Sequence, residues 1–596
     1  MKKILYIVLL AIVFCVNSYA QAPVDLFDPF YEDLSIWEGC GLINDAPSVR
    51  PYPLQEIERL LQIVMEKGDA GQRRKAAEYQ ARFFQHIFHF GGKAEFNSAW
   101  QSSKNENQFF ITPFGTLNYS LTKLLTISAY LSVNLMNTLD NENLLPAYSY
   151  SQKDIADDAG NIGKLKLLPM FNTSATFGTP EYYITAGLGR TSYGPFHDSG
   201  IFISRDAFHA GHFILTINKK KWAYNQVLLL LAATNDHSDH KDRKDSIGPQ
   251  KFLASHSIDI RPLTWLSFSI IDTMSYGGRF EPMYLIPFSA FFLGQSVYSF
   301  PDNSLIGLSA TVKPIRGLRI DSAFYVDDIG LNEILKFKDA KWRLAGEFGI
   351  SYTMPNTHWF SFVDLNYTLV MPYMYTHVDD DDYNKPNYQN YTHHGSPLGT
   401  NLDPNSDRIH LKLKFRPLHG LDINLSDTFI RHANTTESIT DIEMIKDYLA
   451  RKYTTDGSVF NHPTITDRAS DGSTAWKNHA FLYTTPFMRQ QTIQYVNQLA
   501  LDVSCHLPIV KSGGYMLFKF GYVFEANINP GVRRDIYSAT KPEWYGQKMK
   551  DITDTDGNIG EAAIRAEAAR QLEQWRKDAI GKQFNHYIRL SAEFAY

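Results

Sequence analysis

Between Lys93 and Tyr596 the chain breaks into short runs of alternating apolar and polar residues, and the links between those runs alternate short and long. In the run 125–136, Leu125, Ile127, Ala129, Leu131, Val133 and Leu135 interleave with Thr126, Ser128, Tyr130, Ser132, Asn134 and Met136. Extended backbone sends successive side chains to opposite faces, so such a run is a strand with one apolar and one polar face. Eighteen candidate strands can be marked, at 93–101, 109–121, 125–137, 165–178, 181–190, 212–219, 223–234, 251–261, 265–274, 304–314, 317–327, 342–354, 357–371, 407–415, 420–431, 491–505, 514–527 and 584–596. Links after even-numbered strands are short, as at Thr179-Pro180, Pro355-Asn356 and Arg416–His419. Those after odd-numbered strands are mostly long and reach 432–490 and 528–583. Outer-membrane barrels sort their connections in this way, with short turns in the periplasm and long loops outside. A soluble sandwich has no reason to. The final run, Gln583–Tyr596, keeps the alternation to its last residue, with Phe584, Ile588, Leu590, Ala592, Phe594 and Tyr596 on one face. In a closed barrel that strand pairs with the first and leaves no edge in lipid. The expected fold is an all-β transmembrane barrel of about 18 antiparallel strands, contacting outer-membrane lipid and engaging barrel-assembly machinery through its C-terminal strand. Two apolar runs, Val227–Leu231 and Tyr284–Leu293, do not alternate.

Residues 1–20 read as a signal peptide: Lys2 and Lys3, then apolar Ile4–Val16, then the small-x-small site Ser18-Tyr19-Ala20. Beyond residue 20 no run of eighteen apolar residues occurs, which excludes membrane helices but not membrane strands. Residues 21–92 carry helical spacing instead: Phe30, Leu34 and Trp37, then Leu54, Ile57, Leu60, Leu61 and Val64, then a third helix from Arg73 to Phe90. So small a helical module needs support, and the periplasmic mouth of the barrel, 93–596, is its expected seat. The host is then a Gram-negative-type bacterium. A net charge of −5 argues against a nucleic-acid partner. Two cysteines follow the signal peptide, Cys40 and Cys505. They could pair in an oxidising compartment, but Cys505 keeps register with apolar Leu499, Leu501 and Val503.

The polar strand faces carry both signs, including Arg319, Asp321, Lys412 and Lys414. Mixed charge in a lumen this wide suits a wet pore or one closed by ion pairs. The loop 372–406 holds Tyr373, Tyr375, Tyr383, Tyr388, Tyr391 and His393 beside the run Asp379–Asp382. Aromatic faces among carboxylates and amides suit a sugar, whose ring stacks and whose hydroxyls hydrogen-bond. The four aspartates could hold calcium, but a solvated acidic loop is the simpler reading. The run 552–563 imitates an EF-hand loop without its first and last ligands. No metal site or cofactor is expected. No G-x-S-x-G or H-E-x-x-H occurs, and no enzyme activity is expected.

Three stretches carry a family resemblance. They are Gly41-Leu42-Ile43 with Arg50-Pro51; Gly189-Arg190-Thr191-Ser192-Tyr193-Gly194-Pro195 followed by the run Ile201–Ser204 and a segment at Ala207; and Phe280-Glu281-Pro282 with Asp302–Gly307 and Tyr325–Ile329. In their order and spacing the chain resembles the Wzi-type capsule assembly proteins over about residues 30–330. Tyr193 stands where many members carry tryptophan, and it joins the loop aromatics as a candidate ligand contact. The resemblance implies an eighteen-stranded barrel with a periplasmic helical bundle. It also implies a lectin-like, non-enzymatic role: holding capsular or exported polysaccharide at the cell surface. The alternative is a porin or uptake channel for small solutes or sugars, which requires an open lumen.

Overall fold

The computed structural model describes residues 25–596 apart from 102–104, 138–143, 150–159, 234–249, 299, 301, 328–342, 356–358, 376–387, most of 439–486, 510–513 and 534–559. Its barrel strands are β1 (Phe88–Trp100), β2 (Asn105–Ser120), β3 (Leu125–Asn137), β4 (Leu165–Thr179), β5 (Tyr182–Gly189), β6 (Ala210–Lys219), β7 (Trp222–Leu231), β8 (Lys251–Leu263), β9 (Leu266–Gly277), β10 (Asn303–Ile315), β11 (Leu318–Asp327), β12 (Leu344–Thr353), β13 (Phe360–Val370), β14 (Ser406–Leu418), β15 (Leu421–Ala433), β16 (Ile493–Ile509), β17 (Gly514–Ile528) and β18 (Lys582–Ala595). These eighteen antiparallel strands close into one barrel. The seam joins β18 to β1, with Ala94 opposite Ala592. There the Phe90 and Tyr596 backbones exchange hydrogen bonds of 2.9 Å in both directions.

The outward face is apolar. Phe324, Phe348, Leu365, Ile409, Phe518 and Leu590, on six strands, are 46–49 % exposed. A soluble monomer rarely shows so continuous an apolar surface; a barrel in lipid requires it. No described helix is long and apolar enough to cross a membrane. The inward face is polar near the short turns and apolar further up.

Three helices precede the barrel: α1 (Pro29–Gly39), α2 (Leu54–Lys67) and α3 (Ala70–Phe84). Asp28 caps α1 by accepting from the Phe30 amide at 2.9 Å, and Asp69 and Gln72 form a capping box on α3. Their apolar faces meet in a core of Phe30, Leu34, Trp37, Ile57, Leu61, Val64, Tyr79 and Phe83. The third helix stops at Phe84 rather than at Phe90, because the backbone from Phe88 onward is taken by the ladder with β2 (Phe88 opposite Leu117).

The two runs without alternation have a shared cause. Residues 280–298, including helix α4 (Phe291–Tyr298), lie against the outer wall of β7–β9 instead of standing free above the rim. The Tyr284 carbonyl accepts from Gln226 at 2.8 Å, the Phe288 amide donates to the Tyr224 hydroxyl at 3.0 Å, and the Phe291 amide donates to Asp272 at 2.8 Å. This strap is apolar toward the wall and apolar outside, where Ile286, Phe288, Leu293 and Val297 are exposed. Beneath it, Leu228 is buried while Leu230, beyond its cover, is exposed. Val227, Leu229 and Leu231 face an apolar filling inside the barrel.

Candidate functional site

The lumen is occupied by the chain itself at two levels. At the short-turn end sits the helical module. Gly317, in the turn between β10 and β11, adopts φ +93°, and its amide donates to the Gly39 carbonyl at 2.9 Å. A Cβ there would lie 2.3 Å from the Thr353 carbonyl oxygen, so the turn is closed to any side chain. The Cys40 thiol meets the Met354 carbonyl at 3.7 Å; Cys40 and Cys505 are both free thiols.

Charge fixes the seat. Glu32 of α1 pairs with Lys412 at 2.6 Å and with Lys414, whose side chain is 1 % exposed. Asp33 meets Arg416, which also binds Asp422 at 2.8 Å. Glu38 takes Arg319 at 2.7 Å, and Arg319 also binds Asp321 at 2.7 Å. Burial alone would raise the Glu32 carboxyl, but Lys412 and Lys414 hold it down to about 2. Glu38 is likewise held well below the carboxylate range, against the push of burial, by Arg319 and His197. His197 Nε2 donates to the Glu38 carboxylate at 2.9 Å; burial and nearby Arg50 lower this imidazole to about 4, so it is neutral at pH 7 and Arg319 is the cation that matters.

Above the module lies the inner plug, built from 190–209 and from the described parts of 371–405. Ile201, Phe202, Ile203, Met374, Leu398 and Leu402 are buried against inward residues such as Leu253, Ile271, Leu305 and Tyr325. The two levels join directly. Val49-Arg50 pairs as a short strand with Ser192-Tyr193, and Arg50 donates to the Gly194 carbonyl at 3.1 Å. The first two stretches of the family resemblance thus touch in the lumen. The third joins them where Tyr325 packs edge-on against Phe202 at 5.1 Å. Charge ties this level too: Asp198 binds Arg205 at 2.8 Å and Lys412 at 2.7 Å, and Arg319 donates to the Pro195 carbonyl at 2.8 Å.

Of the charges read from the sequence as lumen-facing, Arg319, Asp321, Lys412 and Lys414 do point inward, where their ion pairs tie the module and the plug to the barrel wall. The candidate aromatics divide differently. Tyr193, Tyr373, Tyr375, Tyr391 and His393 are at most 4 % exposed. Tyr375 and Tyr391 stack at 5.4 Å, and their hydroxyls donate to the Ile201 and Phe202 carbonyls at 2.7 and 2.6 Å. His393 Nδ1 accepts from the Ala232 amide at 2.9 Å, so Nε2 carries the proton and donates to the His209 carbonyl at 2.9 Å. Burial lowers this imidazole to about 3, which keeps it neutral. These five side chains present no face to an outside ligand; they pack the inner plug, because the loop turns into the lumen. Tyr388 is half-buried beside Gly277. Tyr383, the run Asp379–Asp382, residues 552–559 and the signal peptide lie outside the described residues. Among the described residues no cluster of three or more metal-ligating side chains is found.

The plug does not fill the whole lumen. Along β1–β4 and β18 a cavity of about 450 Å³ remains, bounded also by Phe27, just before α1, and by Arg190 and His209 of the plug. A second hollow of about 830 Å³ lies between α2, α3 and the β2–β3 turn at the short-turn end, and Phe83 borders both. Neither was legible from the sequence, since the small and amide residues of β2–β4 read as ordinary polar lumen face.

In fold the chain is similar to Wzi of Escherichia coli, an outer-membrane protein involved in group 1 capsule assembly and described as a carbohydrate-binding β-barrel. The TM-score is 0.50 at 12% identity, over 97% of this chain and 99% of that one. Two Pseudomonas aeruginosa barrels, OccD3 (OpdP) and OccK8 (OprE), align with TM-scores of 0.38 and 0.40 at 10% and 7% identity, over 85% of this chain and 91% and 98% of theirs. Identities this low bear on the fold alone. No family model and no curated protein matches the chain.

Proposed function

We propose that this chain is an outer-membrane barrel that holds capsular or other exported polysaccharide at the cell surface without chemistry of its own. The short-turn end, and the module seated in it, face the periplasm. The supporting observation is the two-level filling of the lumen, anchored by buried pairs such as Glu32 with Lys412 and Lys414. A porin needs a continuous wet path, whereas an attachment barrel needs a stiff platform for its outer loops. The fold's likeness to a carbohydrate-binding barrel supports the ligand class. Polymer affinity then comes from many weak contacts with a repeating chain, which is avidity rather than one deep pocket. Tyr383 and Tyr388 remain the candidate contacts in the long loops.

The test is conductance of the full-length protein in a planar bilayer, paired with pull-down of the host's exported polysaccharide. A silent barrel that retains polymer supports the proposal. Steady conductance without polymer binding sinks it in favour of an uptake channel. That second reading has one observation on its side, the pair of hollows that share Phe83 along β2–β4.

A further inference from the structure

The cavity along β1–β4 has the chemistry of a ligand site rather than of leftover space. Its 450 Å³ falls within the roughly 300–1,000 Å³ typical of small-molecule pockets. One wall is aromatic: Phe114 and Tyr130 stack at 5.9 Å with their rings toward the hollow. Beside them stand amides with spare capacity. Asn118, 5 % exposed, has a side-chain oxygen that accepts no hydrogen bond among the described residues, and so has Asn172. A buried amide oxygen needs a donor, from water or a ligand, and these two lie together on the wall of one hollow.

The charge balance is specific. Each carboxylate on the lining is already engaged. Asp28 holds Arg82 at 2.6 Å, and Glu95 holds Lys93 at 2.5 Å. Glu593 accepts from the Tyr515 hydroxyl at 2.6 Å, and Asp25 accepts from the Phe27 amide at 2.8 Å. Arg190 is the exception among the lining cations, since Arg82 and Lys93 are both paired. It donates to His209 Nε2 at 3.2 Å and to the Arg205 and Ala207 carbonyls at 3.1 and 3.3 Å, and it lies 5.0 Å over the Phe27 ring. Those contacts hold the guanidinium rigid; the Asp25 and Asp206 carboxylates lie near enough to favour its charge, but among the described residues it forms no ion pair with either. A fixed planar cation suits a carboxylate better than any other single side chain does.

We propose that this cavity binds a short acidic saccharide: the Phe114–Tyr130 wall stacks a pyranose ring, Asn118 and Asn172 accept from its hydroxyls, and Arg190 holds its carboxylate. Phe83 borders both this cavity and the hollow beside α2 and α3 at the short-turn end, the side from which the proposed saccharide would enter. The saccharide class follows the carbohydrate-binding reading above, but the site is internal and separate from any polymer contact on the outer loops.

The experiment titrates purified full-length protein calorimetrically with cellobiouronic acid, with neutral cellobiose and with inorganic phosphate. Heat-modifiable gel mobility confirms a folded barrel for each variant. The acid should bind at least tenfold tighter than cellobiose. Arg190→Gln should erase that preference and leave weak binding of both sugars. Arg190→Lys, which keeps the charge but not the fork, should fall between them and serves if the glutamine variant does not fold. Asn172→Trp, which fills the hollow from its wall, should abolish both. No binding of either sugar, a preference unchanged in Arg190→Gln, or phosphate binding as tight as the acid each overturns the proposal. Surface retention of polymer is scored separately. Retention by a protein whose cavity binds no sugar would leave the attachment role standing and remove only the internal site.

Discussion

Lys414 shows what a single side chain does in this lumen. On sequence it is one of several charges on polar strand faces. In the fold its ammonium is almost fully buried between Glu32 of α1 and Asp422 of β15, the latter at 3.1 Å. Removing one partner of a buried pair leaves the other charge without compensation, at a cost of about 3–5 kcal/mol. Lys414→Met should therefore loosen the seat of α1 by about that amount, tempered by Lys412, which still faces Glu32. Hydrogen exchange in residues 29–39 reads this directly: protection should fall there while that of the barrel strands stays unchanged. A uniform loss of protection would mean instead that Lys414 supports the barrel wall. The buried tyrosines teach the converse. Aromatic residues in a long loop suggested a sugar-stacking rim, yet Tyr375 and Tyr391 spend their hydroxyls on backbone carbonyls of the neighbouring plug segment. Composition identifies a side chain's chemistry and leaves open which partner takes it up.

At the scale of elements, the module is held as a removable stopper. Its seat combines a small apolar core with carboxylates whose partners sit on barrel strands, so it should respond to acid. Glu32 titrates near 4.5 when released and near 2 when seated, and Glu38 is also lowered. The released module then binds more protons in that interval, so seating is weakened as pH falls. The contribution is full above pH 4.5 and is lost progressively down to about pH 2. Bilayer recordings at pH 7, 4 and 3 should show a silent barrel, then rare openings, then frequent ones. Openings that become rarer on acidification would contradict the Glu32 and Glu38 seat. Deleting residues 25–84 should raise conductance at pH 7 as well, because only the inner plug and the cavity along β1–β4 would remain in the path. If that deletion stays as silent as the full chain, the plug formed by 190–209 and the described parts of 371–405 closes the barrel by itself.

For the whole molecule, the defining contrast is an apolar exterior around a polar, self-filled interior. Phe348 lies midway along β12 and faces outward, so Phe348→Arg puts a charge at the lipid mid-depth. That should cost about 2–4 kcal/mol of barrel stability, seen as a lower urea midpoint for folding into vesicles, whereas Phe348→Leu should change it little. A midpoint insensitive to the arginine would mean that this face does not meet lipid. Much of this organisation was readable in advance. Period-two alternation and the parity of link lengths are local, repeated properties, and together they specified eighteen strands, their faces and the closing role of the last one. Helical spacing likewise marked the module, with its end misplaced by six residues because the ladder with β2 claims Phe88 onward. What the sequence could not determine is which distant segments share the lumen. The links 191–211 and 372–406 read as long outer loops, and Tyr284–Leu293 as an apolar anomaly, since nothing local distinguishes a loop that turns inward or lies along the wall from one that stands in solvent. Only closure of the barrel decides that. It brings Glu32 to Lys412 and Lys414, Arg50 to Gly194, and Tyr391 to Phe202, and leaves Arg190 facing a cavity. Those pairings depend on three-dimensional proximity between residues far apart in the chain, which no window along the sequence contains.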